Sequence, residues 1–205
     1  VSAIDTDVVL QHTKVVSSGP TPTATANQFT VTYLVTVRNN NATLTGDYGL
    51  TDTLLFPAGL TVNSVATTNV GAGVPAGGTL TPAAGVYTLA PAATSISPGV
   101  AHTYSLTVTY TQGTVAAANL ICGAAGTATG LRNRSTALTV NNQEACVSIT
   151  DRPTLSKAFS PTPLQVGATS TLTITITNVA GNPAQGNLDF TDTLPAGLTV
   201  NGAAA

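Results

Sequence analysis

Thr30-Val31-Thr32-Tyr33-Leu34-Val35-Thr36-Val37-Arg38 places Val31, Tyr33, Val35 and Val37 at every second position. Side chains two residues apart share one face of a β-strand, so this stretch is read as a strand with one apolar face. The same period of two recurs nearby. Tyr104, Leu106, Val108 and Tyr110 alternate with Thr and Ser, and Leu172, Ile174 and Ile176 alternate with Thr. Residues 131–140 and 145–149 read as two further strands. Clusters of Gly, Pro, Asn and Ser at 17–22, 39–46, 71–78 and 97–100 supply turn chemistry between them. No segment carries a helical stripe, although 115–120 could form one turn. Many short strands separated by regular turns imply an all-β, antiparallel β-sandwich.

The strand at 30–38 is also half of a duplication. Thr51-Asp52-Thr53-Leu54, then Pro57-Ala58-Gly59-Leu60-Thr61-Val62-Asn63, returns as Thr191-Asp192-Thr193-Leu194-Pro195-Ala196-Gly197-Leu198-Thr199-Val200-Asn201. Upstream of each copy lie a matching alternating strand and, earlier still, Thr13-Lys14 and Ser156-Lys157. The expected organisation is a complete sandwich repeat over 1–150 and the N-terminal half of a second over 151–205, with the joint near Pro153. The chain opens on Val1, as a mature or excised piece would.

Composition narrows the function. Charged residues make up 7% of the 205 residues and the net charge is −2, against about 25% charged in ordinary globular chains. A nucleic-acid binder needs a basic stripe that six Lys and Arg residues do not provide. The longest small-apolar run, 115–126, is too short to cross a bilayer. The two histidines, His12 and His102, are distant in sequence and have no nucleophile motif beside them, so neither an enzyme, nor a metal site, nor a cofactor is expected. Cys122 and Cys146 read as a disulfide between neighbouring strands of an exported chain, or else as two buried thiols.

Alternation puts several polar groups on apolar faces. Lys14 shares its face with Leu10, His12 and Val16, and Asp52 lies between Leu50 and Leu54. Asn133 shares a face with Leu131, and the second copy repeats the pattern with Lys157 and Asp192. Two readings follow for Lys14, Asp52 and Asn133. One is a buried Lys–Asp ion pair hydrogen-bonded by the Asn. The other is a self-formed isopeptide bond, in which the Lys amine displaces ammonia from the Asn amide. Burial favours that chemistry by lowering the amine's pKa and raising the carboxyl's.

The run of Lys, a Thr-rich strand ending in Asn, and Thr-Asp-Thr-Leu-Pro-Ala-Gly-Leu-Thr-Val resembles the conserved-repeat domain of bacterial surface proteins (domain of unknown function eleven). That family belongs among Ig-like and collagen-adhesin-like sandwiches. The resemblance implies tandem Ig-like sandwiches on extracellular, wall-attached or secreted adhesins, whose partners are neighbouring repeats. Related sandwiches carry Lys–Asn isopeptides with an acidic helper, and Lys14, Asn133 and Asp52 match those roles. In those relatives the Asn sits on the last strand, whereas a further strand follows Asn133 here, which leaves Asn141 and Asn142 as alternatives. The functional expectation is a structural or adhesive surface module. The alternative is a filament subunit, in which a neighbour's strand, such as residues 1–10, completes the second sandwich.

Overall fold

In a computed structural model, the structure describes residues 10–137, 142–149, 153–163, 165–178 and 189–201. Residues 1–9, Asn141 and the 151–152 part of the expected joint lie outside them. The chain divides into two compact units, Val1–Thr150 and Asp151–Ala205.

Residues 30–38 form the centre of β2 (Gln28–Asn39) in the first unit. Its apolar face is sealed, with Val31, Tyr33, Val35 and Val37 all fully buried. β2 pairs antiparallel with β1 (Leu10–Pro22) on one side and β7 (Ala101–Gln112) on the other. β4 (Leu60–Val70) and the two-residue β5 (Gly78–Thr79) complete a five-stranded sheet ordered β1-β2-β7-β4-β5. The opposing sheet is β6-β3-β8-β9, built from β3 (Gly46–Leu55), β6 (Val86–Ile96), β8 (Leu131–Ala137) and β9 (Gln143–Val147). The inner faces meet through Tyr33, Tyr104, Leu106 and Tyr110 from the first sheet and Tyr48, Leu50 and Leu131 from the second. Each buried aliphatic or aromatic side chain contributes about 1.5–3 kcal/mol. With only 4% aromatic residues in the chain, the five buried tyrosines, these four and Tyr87, supply much of the bulk in this core.

The structure departs from the sequence reading in several places. Residues 17–22 continue β1 rather than turning, because register shifts after Val16 and Ser18 absorb Gly19 and Pro20. β4 and β6 have weaker alternation, and Pro91 interrupts the apolar pattern of β6. Pro91 is tolerated because β6 lies at a sheet edge. β9 begins at Gln143 and ends before Ser148. A single 3-10 turn, Ala117–Asn119, lies between β7 and β8. No described helix is long and apolar enough to cross a membrane.

In the second unit, β10 (Thr154–Ser160) pairs antiparallel with β11 (Thr171–Thr177). The register repeats that of the first unit: Lys157 faces Ile174 as Lys14 faces Val35. The Pro-Ala-Gly-Leu turn repeats as well, with Gly59 at φ 97° and Gly197 at φ 95°. A Cβ at Gly59 would stand 2.1 Å from the Thr114 carbonyl oxygen, so that turn accepts only glycine.

Candidate functional site

β1 and the β3–β8 pair belong to opposite sheets, and their inward side chains meet across the core. On β1, His12 and Lys14 are two residues apart and both buried. On the facing sheet Asp52 of β3 lies directly opposite Ser135 of β8, and Leu54 opposite Asn133. The sheets therefore bring two β1 side chains onto Asp52, Asn133 and Ser135. All three are at most 1% exposed.

The Lys14 ammonium donates to Asp52 Oδ2 at 2.5 Å, and both side chains are fully shielded from water. Lys14 Nζ also lies 5.3 Å from the centre of the Tyr33 ring. The Tyr33 hydroxyl donates to the Leu131 carbonyl at 2.7 Å, which ties the ring to the start of β8. Beside the pair, His12 Nε2 and Ser135 Oγ are hydrogen-bonded at 2.8 Å.

The pair is left incompletely satisfied. Asp52 Oδ1 has no hydrogen-bond partner, nor does either polar atom of the Asn133 amide, among the described residues. Asn133 is still close enough to favour the charged form of Asp52, but its amide does not reach hydrogen-bond geometry. Each unpartnered buried polar group costs about 1–3 kcal/mol, so the amide is held here at the expense of stability.

Burial pushes both members of the pair toward neutrality. Burial lowers the Lys14 amine from its ordinary 10.5, against the opposing pull of Asp52. Burial raises the Asp52 carboxyl from 3.8, against the opposing pull of Lys14 and then of Asn133. A buried amine drawn toward its free base, a carboxyl drawn toward its acid and an unpartnered amide are the three components of an amide exchange.

The structure thus brings Lys14, Asp52 and Asn133 to one site. Of the alternatives to Asn133, Asn142 is exposed and Asn141 lies outside the described residues. In the second unit Lys157 donates to Asp192 at 2.5 Å, with side-chain exposures of 37% and 28%. Cys122 and Cys146 are disulfide-bonded. Cys122 lies in the loop before β8 rather than on a strand, so the bond joins a loop to β9. No group of three metal-ligating side chains occurs among the described residues.

Sequence reasoning missed a second buried polar chain. Tyr48 hydrogen-bonds both His102 Nδ1, at 2.6 Å, and the Tyr104 hydroxyl. His102 Nε2 lies 2.8 Å from the Ala72 carbonyl oxygen and donates to it. The available signal was that Tyr48, His102 and Tyr104 all occupy inward positions of their strands.

Residues 153–205 match a sequence family described as a domain of unknown function, DUF7933. No curated protein sequence matches the chain. Among solved structures, the full-length RrgB pilus protein of Streptococcus pneumoniae is similar over 73% of this chain, at 14% identity and a TM-score of 0.32. The match covers 25% of that protein's length.

Proposed function

We propose that the chain is a structural, adhesive module of an extracellular bacterial surface protein, locked internally by a Lys14–Asn133 isopeptide bond. In this reading residues 1–150 are one Ig-like repeat and 151–205 open a second, in which Lys157 and Asp192 hold the same roles. The observation that carries it is the shielded Lys14–Asp52 pair beside the unpartnered Asn133 amide.

The reaction needs nothing beyond these side chains. Once Lys14 has given its extra proton to Asp52, neutral Nζ attacks Cγ of Asn133, and the Asp52 acid donates a hydrogen bond to the amide oxygen. As the tetrahedral centre collapses, the Asp52 acid gives its proton to the departing nitrogen and takes one from Nζ, ending as the acid it began as. A C–N bond forms, a C–N bond breaks, and ammonia leaves. Fixed alignment can supply about 7–11 kcal/mol of the barrier. The product removes the buried amine's charge and one unpartnered NH2 group together. A low-charge, Thr-rich sandwich carrying a disulfide and a cross-link suits mechanical and proteolytic stress outside the cell.

Intact mass of the reduced, unfolded chain tests the reading. The expected value is one ammonia below the sequence mass, restored to the sequence mass of the variant in Asn133→Ala. An unmodified mass from a fully folded preparation refutes it.

A second reading, a filament subunit completed by a neighbour's strand, rests on exposed apolar side chains in the second unit. Leu155 is 57% exposed, Phe190 47% and Ile176 40%. Sedimentation separates the two: fibres support the filament, and a monodisperse monomer supports the surface module.

A further inference from the structure

β8 carries Asn133, and the strand starts from a short, heavily fastened segment. Gly130, three residues earlier, has φ 59°, and a Cβ there would stand 2.8 Å from Cys122 Sγ and 2.9 Å from Cys146 Sγ. The disulfide therefore fills the space where a side chain at 130 would be. Gly130 N–H donates to the Asn119 carbonyl, and Ile149 N–H to that of Leu120. Cys146 lies opposite Arg132 in the β8–β9 register, with Ala145 opposite Asn133. The Arg132 guanidinium donates to the Gly123 carbonyl at 2.5 Å and to Glu144 at 2.9 Å, fixing the same loop from β8.

Two thiols cannot occupy this space as a disulfide does. Reduced sulfurs separate to van der Waals contact, and both stand against the side of Gly130 where a Cβ would be, a spot that the Val147 carbonyl oxygen also borders. Reduction therefore pushes on the residue that aims Leu131, Arg132 and Asn133 into β8. An amide held by no hydrogen bond of its own depends on its strand for position.

From this geometry we infer that the Cys122–Cys146 disulfide is a positioning device for Asn133, so that the two covalent bonds form in order, disulfide first and isopeptide second. The inference rests on the isopeptide reading above. It makes cross-linking depend on redox state. The chain stays unlocked in a reducing cytoplasm and locks after reaching an oxidising compartment. Cys122 and Cys146 act through Asn133 and touch none of the reacting atoms.

The test follows ammonia loss by mass during refolding of the full chain, oxidised or in reductant, together with a Cys122→Ser/Cys146→Ser variant. Near-UV dichroism of the buried tyrosines reports the folded fraction. The expected result is a rate at least about tenfold lower per folded molecule without the disulfide, since misplacement of about 1 Å can cost about a hundredfold. The midpoint of the pH–rate profile should stay in place, because alignment changes and the amine's surroundings do not. Gly130→Ala, kept oxidised, crowds the same spot with the bond intact and should slow the reaction as well. It decides the matter if the reduced forms do not fold. Equal rates in folded oxidised and reduced protein, an unslowed folded Gly130→Ala, or a moved midpoint would overturn the inference while leaving the isopeptide reading intact. Absence of ammonia loss from the oxidised wild type overturns that parent reading, and this one with it.

Discussion

Replacing Asn133 with Ala removes the acceptor amide and leaves the Lys14–Asp52 pair in place. The cross-link closes a loop of roughly 120 residues, and the chain-entropy relation makes such a closure worth about 5 kcal/mol. At about 2–4 °C per kcal/mol for a domain of this size, Asn133→Ala should melt about 10–20 °C below the wild type. Asp52→Ala is expected to do more. It stops the reaction and also leaves the Lys14 amine, whose side chain is fully shielded, without its partner. Breaking a buried pair from one side costs about 3–5 kcal/mol. The combined loss, about 8–10 kcal/mol, is comparable with the whole stability of an ordinary domain. Asp52→Ala should therefore populate the unfolded state at room temperature, whereas Asn133→Ala should remain folded. Calorimetry on both variants, with intact masses alongside, provides the comparison. An Asn133→Ala melt within about 2 °C of the wild type would refute the loop-closure argument.

Three further outcomes are expected. In Asn133→Ala the free pair titrates, and the sign differs at each end of the pH range. Between 3.8 and its raised folded value Asp52 binds more proton folded than unfolded, so stability falls as pH rises. Between its lowered folded value and 10.5 Lys14 binds less proton folded, so stability rises with pH. The wild type should lack the alkaline rise, because its Lys14 nitrogen is an amide; urea midpoints across pH read both. Glu144→Gln should destabilise by about 2 kcal/mol, measured by urea unfolding, because the carboxylate accepts from Arg132, Arg134 and the Gly126 amide. Burial alone would raise the Glu144 carboxyl, but Gly126, Arg134 and Arg132 together hold it below 4.5. Its contribution is therefore present above that pH and disappears as pH falls through the lowered folded value. Tyr48→Phe leaves His102 Nδ1 without its Tyr48 partner and should lower the melting temperature by several degrees, consistent with about 1–3 kcal/mol for an unpartnered buried group.

Much of the fold was legible because a strand's period of two is carried by the side chains themselves. Residues 30–38 and 102–110 sit at the centre of their sheet, where burial on one face and water on the other enforce alternation. The edge strand β6 was not legible. It is relieved of pairing on one side, tolerates Pro91 and so loses the pattern. The turn expected at 17–22 failed because glycine and proline can be absorbed into a bulged strand as readily as into a reversal. Lys14 and Asp52 could be placed facing inward from alternation, and the repeat drew attention to them. Their meeting across the sheets depends on how the two layers stack, which period alone does not encode. The packing of Gly130 beneath the disulfide was invisible for the same reason, since the contact joins three separate segments.

Tandem mass spectrometry of a protease digest tests the central claim most directly. The account predicts one branched peptide, with the β1 fragment joined through Lys14 to the β8 fragment at Asn133 and short of one ammonia. Recovery of both fragments as separate, unmodified linear peptides from natively folded protein would contradict it.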